Sequence, residues 1–93
     1  MIRSFATGPT ERIWNEEYVR SLDRRVQRIV LRKLELIHAA VELVDLRIPP
    51  GNRLEQLKGD RAGQHSIRVN DQWRICFVWC DGGADDVELV DYH

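Results

Sequence analysis

The chain has 93 residues, of which 43% are hydrophobic and 31% charged, and its formal net charge is −1. This length allows one domain over residues 1–93, and the composition is typical of a folded globule instead of a disordered tail. No apolar run approaches the roughly 20 residues that span a bilayer, and no apolar secretory segment opens the chain. We therefore expect a cytoplasmic protein without membrane contact.

The near-neutral total hides segments of opposite charge. Residues 20–33 carry six Lys or Arg against one Asp, and residues 53–74 carry five basic against three acidic side chains. Residues 81–93 carry five acidic side chains and no basic one. A polyanion would meet the local basic segments instead of the net charge. The first basic segment fits the solvated face of an amphipathic helix, and partner binding is its alternative function.

The N-terminal half predicts a short edge strand at residues 2–5 and then two helices. Thr10 follows Gly-Pro as a helix N-cap, which predicts a first helix over about residues 11–20. Its expected buried side is Ile13, Trp14, Tyr18 and Leu22.

Asp23 is the expected cap of the second helix. Apolar side chains then recur at steps of three and four residues, from Leu22 to Val41, which is the period of an amphipathic helix. The Pro-Pro-Gly run within residues 42–53 allows neither helix nor sheet to continue.

The C-terminal half changes to a period of two, which indicates strands. Turn residues separate the four predicted strands, at Leu54–Leu57, His65–Val69, Gln72–Trp79 and Asp86–Tyr92. The prediction is an α+β fold in which two N-terminal helices pack on a small antiparallel sheet.

Strand alternation gives this sheet an open face. If the apolar side chains of the strands face the helices, Arg68 and Arg74 project from the opposite side, and Tyr92 lies on the same side as Arg74. Lys58 and Arg61 lie in the loop at its rim. This predicts a cationic, tyrosine-bearing concavity, provided that no bulge shifts the parity.

The two cysteines do not predict a disulfide or a zinc site. Cys76 and Cys80 lie four residues apart in one predicted strand, about 13 Å between Cα atoms, which is too far for a disulfide. They also lack the two further Cys or His ligands of a zinc site. We expect buried thiols. Since no Walker, dinucleotide or nucleophile-elbow motif occurs either, we expect no metal and no cofactor.

The remaining chemical groups fit RNA cleavage without a metal. That reaction needs a base for the ribose 2′-hydroxyl, an acid for the leaving 5′-oxygen and cations for the phosphate. Histidine, tyrosine, arginine and lysine supply these functions. From composition alone, a solvated strand face, a charged turn and a frayed chain end explain the same residues equally well. The candidates are Lys58, Arg61, Arg74, Asp91, Tyr92 and His93.

Three motifs together change this balance: LKGDRAG at residues 57–63, NDQWRI at residues 70–75, and DYH at residues 91–93. With them the chain resembles, over essentially its full length, the HigB family of the RelE/ParE toxin superfamily. The resemblance implies a RelE-like fold and an endoribonuclease that cuts mRNA in the A site of the 30S subunit. It also implies a HigA-like helix-turn-helix antitoxin, whose complex with the toxin binds operator DNA.

The resemblance also implies roles for individual residues. Lys58 and Arg74 match cationic positions of the active site, and Asp91, Tyr92 and His93 match the C-terminal catalytic group. His93 is then expected to transfer protons, Tyr92 to stack on or position a base, Arg74 to stabilise the phosphate, and Asp91 to orient His93 or contact RNA. The side chains expected to bind RNA are Arg53, Arg61 and Arg68, with Glu55 as a secondary candidate.

Glu55 departs from the family pattern, because some members have a catalytic histidine at this position. A carboxylate could act as a base there, but it would repel a phosphate. Two alternative functions stay open: a non-catalytic ParE-like toxin that acts on DNA gyrase, and a binding module active only within an antitoxin repressor complex. The DYH ending speaks against the first.

Overall fold

The computed structural model describes residues 1–92. Two α-helices precede a four-stranded antiparallel sheet whose strand order follows the chain, which confirms the predicted α+β architecture. Short 3-10 helices connect these elements at Leu43–Arg47, Pro50–Asn52 and Gly59–Arg61. The main elements are α1 (Gly8–Trp14), α2 (Arg24–Ala39), β1 (Glu55–Gln56), β2 (His65–Arg68), β3 (Trp73–Cys80) and β4 (Gly83–Asp91).

The hydrophobic core lies between the helices and one face of the sheet. Leu34 and Ile37 of α2 are fully buried, as are Ile67, Ile75 and Phe77 of the central strands. The apolar periodicity of α2 predicted this face correctly as far as Ile37. Val41 was expected to extend it, but α2 ends at Ala39 and the Val41 side chain is 76% exposed.

The start of α2 follows the prediction. The Asp23 carboxylate accepts a hydrogen bond from the backbone N–H of Arg25 at 2.6 Å, which satisfies one of the unpaired donors of the first turn. Arg24, Arg28 and Arg32 lie on the exposed face of the helix. Their four-residue spacing therefore corresponds to the solvated side of an amphipathic helix.

The first helix is shorter and earlier than predicted. It spans Gly8–Trp14 with Thr7 at its N-cap position, and it ends before Glu16, whose φ of 62° is left-handed. Thr10 lies inside the helix, where its buried hydroxyl accepts the backbone N–H of Leu89 at 3.0 Å. Tyr18 lies beyond the helix and is 53% exposed, so its predicted burial was wrong.

The N-terminal segment runs along β4 without forming the expected strand. Ile2 and Phe5 make isolated parallel bridges to β4. Arg3 adds an ion pair to Asp85 at 2.7 Å. Because the segment occupies the outer side of β4, it covers that edge of the sheet.

Strand pairing sets which side chains share a face. Arg68 pairs with Arg74, and Arg74 pairs with Val90 across β3 and β4. A register shift lies between Cys76 and Val78. Since this irregularity lies beyond Arg74 along β3, the parity that places Arg74 and Tyr92 on one side is preserved as far as the end of β4.

Two further features of the chain concern its thiols and its helices. Cys76 is fully buried, as expected, whereas Cys80 at the end of β3 is exposed, which corrects the prediction for that residue. Within residues 1–92, neither helix has the length and apolar character needed to cross a bilayer.

Candidate active site

The candidate site lies on the sheet face that the helices leave uncovered. Arg74 is its central side chain, and although this arginine was expected to project into solvent, the residue is only 8% exposed. Its Nε donates to Ser66 Oγ at 2.8 Å, and its Nη2 donates to the backbone carbonyl of Arg53 at 2.7 Å. The guanidinium is therefore held at two points instead of moving freely.

The carbonyl that receives Arg74 belongs to an unusual backbone position. Arg53 adopts a left-handed conformation, with φ of 46°, directly after the 3-10 helix Pro50–Asn52. The preceding Asn52 is fully buried, and its amide donates to the carbonyls of Leu46 and Ile48. This packing fixes the turn that presents the Arg53 carbonyl, so the contribution of Arg53 that the structure shows is its backbone.

Tyr92 completes the centre of the face. The Arg74 Cζ lies 5.6 Å from the centroid of the Tyr92 ring, a cation–π distance. The backbone N–H of Tyr92 donates to the carbonyl of Gln72 at 2.6 Å, which continues the pairing of β3 and β4 beyond Asp91. Tyr92 is 40% exposed, so its ring is accessible while it contacts the guanidinium.

Glu55 faces the same guanidinium. Its carboxylate lies 3.7 Å from Arg74 Nη2, and its side chain is 54% exposed. The pairing of Glu55 with Ser66 across β1 and β2 explains this position. A phosphate that approaches Arg74 would therefore meet a carboxylate that already pairs with it.

The other basic candidates lie around this centre. Arg61 forms an ion pair with Glu88 at 3.2 Å, and Arg68 pairs with Asp71. Lys58 is exposed at the start of the 3-10 helix Gly59–Arg61. Its approach to Arg74 stays a prediction.

The end of the chain is described up to Tyr92. Asp91 pairs with Trp73 across the strands, and one of its carboxylate oxygens accepts the Gln72 side-chain amide at 3.2 Å. His93, the predicted proton-transfer residue, lies outside the described residues. The structure thus brings together Arg74, Tyr92 and Glu55.

Cys76 lies beneath this face and does not provide a nucleophile. Burial raises the pKa of its thiol above the ordinary value of 9.0, with a smaller opposing effect of Arg61. The thiolate is the reactive form, so the thiol is inert at neutral pH. Within residues 1–92, His, Cys, Asp and Glu form no group of three or more that could hold a metal ion.

Sequence reasoning missed Ser66 and the Arg53 carbonyl as partners of Arg74. The Asn70-Asp71 turn was a usable signal for Ser66, because a tight turn there pairs Arg68 with Arg74 and places Ser66 at a diagonal position two residues away. The Arg53 carbonyl had no comparable signal.

Comparisons with known proteins identify the class to which this arrangement belongs. The YoeB-YefM complex from Staphylococcus aureus superimposes with a TM-score of 0.64, covering 100% of this chain and 98% of that one at 15% identity. At that identity the likeness shows the fold alone, a RelE-like α+β toxin fold. Residues 3–93 match the family model of the RelE-like toxin of the type II toxin-antitoxin system HigB. The chain belongs to this HigB-like toxin family.

Two relatives agree with this assignment. Toxin HigB-1 of Vibrio cholerae serotype O1 is 49% identical over 65 residues, which cover 70% of this chain and 68% of the relative. Endoribonuclease HigB of Proteus vulgaris is 39% identical over 61 residues, which cover 66% and 65% of the two chains. The resemblance drawn from the three sequence motifs is thereby confirmed.

Proposed function

We propose that this HigB-type toxin, an endoribonuclease, cleaves mRNA in the ribosomal A site and does so at the open face of the sheet. One observation carries the site assignment: the Arg74 guanidinium is fixed by Ser66 and Arg53 and lies against the accessible Tyr92 ring. A preorganised cation beside an aromatic ring offers a phosphate contact and a base-stacking surface together.

The proposed reaction needs no metal. A base removes the proton of the ribose 2′-hydroxyl, the 2′-oxygen attacks phosphorus, the bond to the 5′-oxygen breaks, and an acid protonates that oxygen. Arg74 stabilises the charge that develops on the phosphate, with Lys58 as a second cation. His93 transfers protons with Asp91 orienting it, and Tyr92 stacks on the RNA base.

Glu55 gives this site an acidic neighbour that competes with the phosphate. Because its pair with Arg74 is long and its side chain is largely exposed, the pair is weak and an incoming phosphate displaces it. Glu55 then lies near the reacting ribose as a secondary candidate for the base.

Arg53, Arg61 and Arg68 are proposed to hold the RNA on either side of the cleaved bond. The Arg61 and Arg68 side chains each keep about a third of their area accessible, despite their acidic partners. Partly exposed ion pairs contribute little to stability, so these arginines can exchange carboxylate for phosphate.

The proposed partners follow from the family. The chain acts in the cytoplasm, where translating ribosomes occur, and a HigA-like helix-turn-helix antitoxin restrains it and links it to operator DNA. Support for an antitoxin partner comes from the family description and from the similar structure, itself a toxin in complex with YefM.

The test is 5′-end mapping of mRNA in a translating extract that contains the purified protein. We expect new 5′ ends within ribosome-covered codons, and Arg74→Ala should lower the cleavage rate about 100- to 1,000-fold, as removal of one oxyanion-stabilising donor does. Deletion of residues 92–93 should abolish cleavage. Arg25→Ala is the matched control, because it removes an exposed arginine of α2.

Each contrary outcome has a distinct meaning. Intact mRNA at stoichiometric protein would overturn the proposal. A DNA-damage response without mRNA cleavage would identify a gyrase toxin instead. Harmless overexpression in the absence of any partner would identify a binding module.

A further inference from the structure

Ser66 is a fully buried polar side chain directly below the open face. The residue is 0% exposed, and its Oγ accepts the Arg74 Nε–H at 2.8 Å. Its backbone carbonyl lies 3.4 Å from Arg74 Nη2 as well. The serine thus contacts the inner edge of the guanidinium twice.

The strand register shows that this contact is a specific one. Ser66 pairs with Cys76, whereas Arg74 pairs with Arg68. To reach Ser66, the Arg74 side chain leans along the sheet to the diagonal neighbour, a distance that only a long side chain covers. The Ser66 hydroxyl therefore selects one of the many rotamers that an arginine on a strand can adopt.

The two anchors together set the plane of the guanidinium. Ser66 holds Nε and the Arg53 carbonyl holds Nη2, so the inner edge of the fork is occupied. Within residues 1–92, no protein group accepts a hydrogen bond from Nη1. The outer edge of the fork is thus left for a phosphate.

We infer that Ser66 is a positioning residue for RNA cleavage, which orients the Arg74 guanidinium through Nε so that its outer edge meets the scissile phosphate. This inference rests on the proposed function. Ser66 touches no reacting atom. Its contribution is to align Arg74 before the phosphate arrives, so that no reorientation is needed in the transition state.

The experiment measures kcat and KM for cleavage of ribosome-bound mRNA. Ser66→Ala should lower kcat about 10- to 100-fold, the effect of misplacing a catalytic group by about 1 Å, with little change in KM. Ser66→Thr, which keeps the hydroxyl, should restore most of the activity. In an Arg74→Lys background, Ser66→Ala should cause no further loss, because lysine has no Nε–H in that position.

Ser4→Ala is a matched control for loss of a serine hydrogen bond. The Ser4 hydroxyl accepts the backbone N–H of Asp86 at 2.9 Å and so supports β4 without a contact to Arg74. Its kcat should equal that of the unmodified chain. If Ser66→Ala lowers the unfolding temperature below the assay range, Ser66→Cys replaces it, since the thiol fills the space and accepts hydrogen bonds weakly.

Two results would overturn the inference while leaving the proposed function intact. One is full activity of Ser66→Ala alongside an inactive Arg74→Ala. The other is an equal loss from Ser66→Ala in both the Arg74 and the Arg74→Lys backgrounds, which is the mark of a general structural effect. Full activity of Arg74→Ala would instead refute the site assignment itself, and the role of Ser66 with it.

Discussion

At the scale of single residues, Arg74 combines two properties that normally exclude each other. It is a charged side chain with 8% exposure, and it contacts a hydroxyl, a carbonyl, a carboxylate and an aromatic ring. These contacts compensate for the loss of water around the guanidinium. The same contacts hold it in the orientation that phosphate binding requires, so stability and proposed function depend on one set of atoms.

The two thiols differ in accessibility and should differ in reactivity. At pH 8 in the native state, a thiol reagent should modify Cys80 and leave Cys76 unmodified, because Cys76 is buried and burial raises the pKa of its thiol. Mass spectrometry should therefore find one adduct in the folded protein and two after denaturation.

Cys80→Ser is the control for this labelling. It should show no adduct in the native state and one adduct when unfolded. Rapid modification of Cys76 in folded protein would contradict the buried position that the structure gives it.

At the scale of elements, the connection between the helices depends on one amide. Gln27 of α2 accepts the backbone N–H of Val19 at 3.0 Å and donates to the carbonyls of Val19 and Leu22 at 3.0 and 2.8 Å. The loop contains no regular pairing of its own at these positions, so the glutamine side chain substitutes for a backbone partner. α1 is short, and this anchor determines how the chain leaves it for α2.

Gln27→Leu should destabilise the protein by about 2–4 kcal/mol, since three buried hydrogen bonds are lost and the loop groups keep no partner. Urea denaturation followed by circular dichroism measures this change. Glu35→Leu is the matched control, because it introduces leucine at an exposed position of the same helix. A loss below about 0.5 kcal/mol for Gln27→Leu would show that water replaces the amide without penalty.

At the scale of the whole molecule, the sheet separates two environments. One face packs on the helices and is apolar, and the other holds the charged pairs around Arg74 and Arg61. Cys76 lies between the charged pairs on the second face and is still fully buried. Its ionisation therefore reports on the burial of the sheet as a whole.

The free energy of unfolding should decline as pH rises above 9.0 partly because of Cys76. Its pKa is raised in the folded protein by burial, so the unfolded chain releases this proton first and gains stability from doing so. The contribution is constant below pH 9 and is lost upward through the folded pKa, at no more than about 1.4 kcal/mol per pH unit.

Cys76→Ala should remove this part of the decline, and Cys80→Ala should not. Urea denaturation between pH 8 and pH 10.5 under reducing conditions compares the slopes, and other titrating groups cancel in the difference. Identical slopes for the unmodified chain and Cys76→Ala would show that the thiol ionises equally in both states.

The sequence by itself determined the two helices, the antiparallel order of the strands, the family, and the placement of Arg74 and Tyr92 on one face. These follow from periodicity and short motifs, which act between near neighbours in the chain. Only the tertiary structure decided where α1 ends, that Tyr18 and Cys80 are exposed, and which groups hold Arg74. Ser66, Glu55 and the Arg53 carbonyl reach Arg74 from 8 to 21 residues away along the chain. Such contacts depend on cross-strand register and on a buried turn, and local preferences do not encode either.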